Sequence, residues 1–310
     1  MLELKDKWVW DFWLCRHRDA HHMFYLQAPR ALGDERLRHF NASLGHAVSE
    51  DLKNWRVLPD ALHPGSSGSW DDLATWTGSV IEADGTWYLF YTGVNQAEKG
   101  LIQRIGAARS SDLIHWERVG DAPLIEADPT WYERLNLDAW HDEAWRDPWV
   151  FKHEDRYHAL ITARCKSGAP DGRGVIGHAV SNDLLNWKVG PPLSEPGAFG
   201  QLEVPQLIEV NGHYRLLFST DRFSHSKPYV SATGQRPVTG TAWLHADSPL
   251  GPFRLPSDPW LFADEVGSRY SGKVIAVGDA SWTCLAFENY SKDGSFAGRI
   301  LNPFLVSAPG

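Results

Sequence analysis

Leu44-Gly-His-Ala-Val-Ser-Glu-Asp-Leu-Lys-Asn-Trp55 returns twice further along the chain. The second copy is Ile105-Gly-Ala-Ala-Arg-Ser-Ser-Asp-Leu-Ile-His-Trp116, and the third is Ile176-Gly-His-Ala-Val-Ser-Asn-Asp-Leu-Leu-Asn-Trp187. A degenerate fourth copy, Thr239-Gly-Thr-Ala-Trp-Leu-His-Ala-Asp-Ser-Pro-Leu250, keeps the glycine and the alanine. Recurrence every roughly 60–70 residues marks a repeat architecture rather than a single irregular domain. Ahead of each copy runs a short aromatic and aliphatic stretch: His22–Gln27, Trp87–Tyr91, Tyr157–Thr162 and His213–Phe218, with a fifth at Trp282–Phe287. Such stretches, bounded by Gly, Asp or Asn, read as strands. Asp84-Gly85 and Asn211-Gly212 supply two-residue hairpin turns before two of them. Each unit is therefore strand, hairpin, strand, loop, strand ending in Ser-x-Asp-Leu-x-x-Trp, and an outer edge strand. Five units fill the chain. The expectation is an all-β, five-bladed β-propeller with four-stranded antiparallel blades, forming one domain over 1–310. The repeated Trp55, Trp116 and Trp187 are expected in the blade cores. His46 and His178, at equivalent positions, are expected to pack rather than act.

Composition agrees. Of 310 residues 43% are hydrophobic and 22% charged, enough for a large core and too apolar for disorder. Lys and Arg number 30 against 39 Asp and Glu, a net charge of −9 with no basic run, which argues against a nucleic-acid partner. No stretch of about 18 apolar residues exists, which excludes a membrane-spanning helix. The first residues lack the apolar run of a signal peptide. Cys15, Cys165 and Cys284 are odd in number and far apart, matching neither a disulfide framework nor a metal motif. A reduced, cytoplasmic protein without cofactor or bound metal is expected. Nothing in the sequence speaks to oligomeric state. The 16 Trp, 9 Tyr and 13 Phe exceed what cores need and suit a sugar-binding cleft.

In a propeller the first strand of each blade lines the central axis. Three of the five first strands carry an acid near their entry: Asp11, Asp147 and Glu203. Three carboxylates around a narrow axis are costly unless paired or used. Clustering raises at least one pKa, as a general acid requires at neutral pH. Glu203, between Leu202 and Val204, is the expected protonated member, and Arg146 is expected to keep neighbouring Asp147 ionised. Two carboxylates flanking a scissile bond are the apparatus of glycoside hydrolysis.

These residues resemble glycoside hydrolase families 32 and 68, the β-fructofuranosidase clan, with family 43 related. Trp8-Val-Trp-Asp-Phe-Trp13 is similar to the family's Trp-Met-Asn-Asp-Pro-Asn, and Phe24-Tyr-Leu-Gln27 to its aromatic strand ending in Gln. Gly45–Trp55, Ala61-Leu-His-Pro64, Trp76-Thr-Gly-Ser79, Arg146-Asp147-Pro148 and Glu203-Val-Pro205 match further motifs in order. The resemblance implies that Asp11 is the nucleophile, Asp147 the transition-state stabiliser with Arg146, and Glu203 the acid and then the base. Retention of configuration follows from that assignment. Gln27, Trp76 and Thr77 would line the same pocket, with Trp10 and Trp13 as sugar platforms, and Trp140 and Trp149 as further candidates. Phe12 and Trp13 replace the family's Pro and Asn, Trp10 replaces the amide ahead of the nucleophile, and Leu44 stands where a Trp usually precedes Gly-His-Ala. No C-terminal β-sandwich is expected.

The favoured substrate is a small-molecule oligosaccharide or glycoside, a short saccharide with a terminal β-fructofuranosyl unit. An inverting family 43-like arabinofuranosidase or xylosidase, a fructosyl-transferring enzyme and a non-catalytic carbohydrate-binding propeller remain open, as does an axial cation. Asp138–Trp145, with His141, Asp142 and Glu143, reads first as a solvated acidic loop and second as a substrate contact.

Overall fold

The repeat unit folds as its turns dictate. Asp84 (φ 51°) and Gly85 (φ 77°), like Asn211 (φ 51°) and Gly212 (φ 79°), take the left-handed conformations of a tight hairpin. They pair Ala83 with Thr86 and Val210 with His213 across two-residue loops. The Ser-x-Asp-Leu-x-x-Trp motif is a second repeated turn. Ser110 Oγ donates to Asp112 Oδ1 at 3.0 Å, and that carboxylate accepts the backbone N–H groups of Ile114 and His115 at 2.8 Å. The same bonds recur at Ser49/Asp51 and Ser181/Asp183. Each turn places its leucine in the left-handed region (Leu52 61°, Leu113 66°, Leu184 65°). The following tryptophan packs against the blade cores, and Trp116 and Trp187 donate back to that leucine's carbonyl at 3.1 and 2.9 Å. The repeated glycine is steric: a methyl at Gly45 would collide with the Tyr25 ring, and one at Gly106 with Trp70.

This is a computed structural model that describes residues 1–291 and 293–308. Twenty strands form five antiparallel sheets. The first sheet holds β1 (Lys7–His17), β2 (Ala20–Pro29), β3 (Ser43–Ser49) and β4 (Arg56–Val57). The second holds β5 (Ala74–Ala83), β6 (Thr86–Val94), β7 (Arg104–Ser110) and β8 (Glu117–Arg118). The third holds β9 (Trp145–His153), β10 (Arg156–Arg164), β11 (Gly174–Ser181) and β12 (Trp187–Gly190). The fourth holds β13 (Glu203–Val210), β14 (His213–Thr220), β15 (Thr239–Ala246) and β16 (Trp260–Asp264). The fifth holds β17 (Arg269–Val277), β18 (Ser281–Tyr290), β19 (Phe296–Ile300) and β20 (Phe304–Ser307). β1, β5, β9, β13 and β17 contact one another in turn and close a ring, the expected five-bladed propeller. In the fifth sheet β19 and β20 follow one another along the same edge of β18. Leu2 then exchanges two backbone hydrogen bonds of 2.9 Å with Ile300, tying the first residues to the last blade. A short α-helix, α1 (Lys227–Thr233), preceded by a 3-10 turn (Arg222–Ser224), interrupts the β14–β15 connection. Among the described residues no helix is long and apolar enough to cross a membrane, and the three cysteines are free.

Apolar side chains fill the wedges between blades, with Trp10, Trp13, Trp145 and Trp282 fully buried. The expected packing role of the repeated histidines is what the structure shows. His46 Nε2 lies 3.0 Å from His22 Nδ1, and His178 Nε2 lies 3.0 Å from His158 Nδ1, at matching places in blades one and three.

One feature of the ring positions everything that follows. On each innermost strand the pairing slips at the same level: at Asp11, Thr77, Asp147-Pro148, Val204-Pro205 and Ser271-Gly272. Such bulges re-aim side chains and are common beside functional sites. Asp147 (57°), Val204 (54°) and Ser271 (53°) adopt left-handed φ there, an unusual state for a β-branched valine.

Candidate active site

The bulges turn Asp11 and Thr77 toward the axis, where Thr77 Oγ1 donates to Asp11 Oδ2 at 3.3 Å. Asp11 Oδ1 is buried and has no partner. Asp147 is 5% exposed; its Oδ2 accepts Thr162 Oγ1 at 2.9 Å and the Val204 N–H at 3.1 Å. Glu203 stands one residue ahead of its bulge, level with Trp10, Trp76, Arg146 and Tyr270 rather than with the two aspartates. Its Oε1 accepts Arg146 Nη2 at 2.7 Å and its Oε2 accepts the Tyr270 hydroxyl at 2.5 Å. All three carboxylates line one recess of about 280 Å³. It shares Asp11, His39, His141, Gln201 and Glu203 with a wider outer lobe of about 1010 Å³.

The electrostatics differ from the sequence-based expectation. Arg146 sits 3.7 Å from Asp147 but donates to Glu203, and also to Gln103 and Gln201 at 3.1 and 2.8 Å. Burial pushes Asp147 up to about 6, opposed by Arg146 and helped by Glu203. Burial, then the charges of Asp147 and Glu203, push Asp11 up to about 7. Arg146 is thus not what keeps Asp147 charged; desolvation outweighs it. Burial also drives His39 well below the usual histidine range, so this wall of the recess is neutral.

Trp76 lines the recess, donating its indole N–H to the His39 carbonyl at 2.6 Å, whereas Trp10 borders the outer lobe but is 1% exposed, with Arg38 over its ring at 5.7 Å. Trp140 also lines the outer lobe, with the Arg164 guanidinium 3.9 Å above its ring. Three candidates fall elsewhere. Trp13 is 1% exposed and stacks on Phe24 inside the core, because the bulge at Asp11 resets which residues of β1 face the axis. Gln27 is 1% exposed and donates to Ser43 Oγ at 3.3 Å; its neighbour Leu26 faces the recess instead. Trp149 lines a separate cavity at the lower end of the axis. In the acidic loop His141 and Asp142 face the recess, while Glu143 is buried against Arg134 at 3.0 Å. Arg38, His39, Gln103, Gln201 and Tyr270 are among the further wall residues that were not anticipated. Tyr270 alone left a signal: it precedes Ser271 as Arg146 precedes Asp147. Among the described residues no cluster of His, Cys, Asp and Glu suits a metal ion.

The profile described as "Glycosyl hydrolases family 32 N-terminal domain" matches residues 10–246, which include all three acids. The chain belongs to glycosyl hydrolase family 32. Family 32 relatives of known name include the fructan 6-exohydrolase of Triticum aestivum, 32% identical over 203 residues, covering 63% of this chain and 31% of that protein. The probable sucrose-6-phosphate hydrolase of Psychromonas ingrahamii is 28% identical over 248 residues, covering 76% and 41%. This family 32 chain spans between 27% and 42% of the length of the curated relatives it matches. Among solved structures, the inulosucrase of Halalkalicoccus jeotgali bound to kestose superposes with a TM-score of 0.80 at 23% identity, covering 99% of this chain and 86% of that one. Bacillus subtilis levansucrase gives 0.76 at 15%, covering 99% and 85%. Both share the fold.

Proposed function

We propose that the recess removes a terminal β-fructofuranosyl unit from a short saccharide by double displacement. The observation that carries this reading is the convergence of Asp11, Asp147 and Glu203 from three innermost strands on one recess. Asp11, with one carboxylate oxygen free of partners, attacks the anomeric carbon and forms the glycosyl-enzyme. Asp147, fixed by Thr162 and the Val204 N–H, holds ring hydroxyls and opposes the positive charge that develops on the sugar. Glu203 protonates the departing oxygen and then takes the proton from water. Before substrate arrives, Arg146 and Tyr270 both donate to Glu203. Sugar hydroxyls that take over Arg146 release that carboxyl for its acid role.

The recess of about 280 Å³ suits a single terminal sugar, and the outer lobe of about 1010 Å³ takes the remainder of the substrate. The names of the relatives, fructan 6-exohydrolase and sucrose-6-phosphate hydrolase among them, support fructose as that sugar. A cytoplasmic location fits three thiols of which none is paired. The test compares aryl β-fructofuranoside, α-arabinofuranoside and β-xyloside substrates, with proton NMR of the first-formed product. Cleavage of the fructoside with retained configuration is expected. Preferential cleavage of a pentoside with inversion would overturn the reading, and transfer to an added sugar acceptor in place of water would redefine it as a fructosyl transferase.

A further inference from the structure

The recess has a floor. Two residues below the bulges of β5, β9, β13 and β17 stand Ser79, Trp149, Gln206 and Lys273, and Lys273 is the charged member of this layer. Lys273 is 3% exposed, and its ammonium donates to the Val204 carbonyl at 2.7 Å. The N–H of the same valine donates to Asp147. Val204, in its left-handed conformation, therefore links the lysine to the acid layer directly above it.

We propose that Lys273 is a positioning residue, a cation beneath the recess that holds Asp11 in the ionised form its attack requires. This rests on the reading of Asp11 as nucleophile. An amine buried this deeply is expensive, and an apolar side chain of similar volume would fill the space at lower cost. Its bond to one carbonyl uses a single donor of three and does not need a full charge. What needs the charge lies above. Asp11 faces Asp147 and Arg146 of β9, Glu203 of β13, Arg38 of the β2–β3 connection and Tyr270 of β17. Arg146 is engaged by Glu203, and Arg38 lies over the Phe296 ring at 4.0 Å. From the floor side the neighbours are Arg16 of β1 and His21 of β2, while β18 presents the apolar Leu285 opposite Lys273. Burial lowers Lys273 to about 7, against the pull of Asp11 and Asp147, and raises Asp11 to about 7. The two groups thus contend for one proton: the charges of Asp147 and Glu203 draw it toward Asp11, and the ammonium of Lys273 opposes them.

The experiment titrates the protein with 13C-carboxyl-labelled aspartate, assigning Asp11 by difference from Asp11→Asn. In Lys273→Met and in Lys273→Gln, which keeps a donor but not the charge, the Asp11 midpoint should rise by at least about one pH unit. An unchanged midpoint in either variant would overturn the proposal. The unsubstituted protein provides a readout that needs no variant to fold: the Lys273 13Cε signal at pH 6 should be that of an ammonium, and a neutral amine would sink the idea. Activity on an aryl β-fructofuranoside is followed in parallel, where the acid limb of the pH profile should move up with the midpoint. A shifted titration without any fructoside cleavage would overturn the fructosidase reading alone.

Discussion

Arg146 reaches past its own neighbour: its guanidinium donates to Glu203 at 2.7 Å while lying 3.7 Å from Asp147. One cation therefore bridges Glu203 of the fourth blade to Asp147 of the third. Gln103 and Gln201 clamp the same guanidinium from both sides. A lysine cannot reproduce a planar fork that donates to three oxygens at once. Arg146→Lys should lower kcat/KM on an aryl β-fructofuranoside by about a hundredfold or more, an effect of the size expected for a lost charge-assisted clamp. Near-native kinetics in that variant would show that Arg146 is only a scaffold.

The division of labour between Asp11 and Glu203 gives a leaving-group test. A positioned general acid contributes roughly 10²–10⁴ when the departing alcohol needs a proton. Glu203→Gln should therefore slow sucrose-like substrates by about that factor and activated aryl fructosides much less. Asp11→Ala removes the attacking atom and should abolish turnover of both. Equal losses on both substrates in the glutamine variant would remove the acid role from Glu203.

In the proposed mechanism Asp11 must be ionised to attack, and burial with the charges of Asp147 and Glu203 pushes that group up to about 7. Activity should consequently fall as pH drops through about 7 and further through about 6, where Asp147 gains its proton. The sign of one coupling is checkable. Asp147→Asn removes a like charge, so the acid limb of the residual activity should move to lower pH. A limb that stays in place or moves upward would exclude Asp11 as its origin.

The fold was legible because it is periodic. The three copies ending at Trp55, Trp116 and Trp187 set the blades, and a Ser–Asp turn rebuilds itself in each. Asp11 and Asp147 were found for the same reason, since both occupy the bulge of an innermost strand. Arg38 and His39 were not, because they lie on the β2–β3 connection, where a 3-10 turn (Glu35–Asn41) differs in length and sequence from the turns at Pro170–Gly172 and Arg222–Ser224 in the matching connections of blades three and four. Trp13 and Gln27 were put forward through the family resemblance, and burial against Phe24 and Ser43 keeps them off the recess. The pairing of Arg146 was misjudged because sequence adjacency to Asp147 says nothing about Glu203, which only ring closure brings within reach.

The paired histidines predict an acid weakness independent of catalysis. His46 is lowered to about 3, and His158 and His178 to about 4, chiefly by burial and then, for the two members on the third strands, by the facing histidine. A folded-state pKa below the ordinary value of 6.5 means that the unfolded chain binds protons first. Stability is therefore intact above about 6.5 and declines as pH falls from there toward about 4. Removing the titrating rings should flatten that decline whatever it does to stability at neutral pH. The double variant His46→Leu/His178→Leu should lose a few degrees less in Tm than the native chain between pH 7.5 and pH 5. The two melting series need only be compared by slope, so a uniformly less stable variant still gives a result. Parallel slopes would show that these histidines take up protons equally in the folded and unfolded states, and would assign the acid sensitivity to the carboxylates instead.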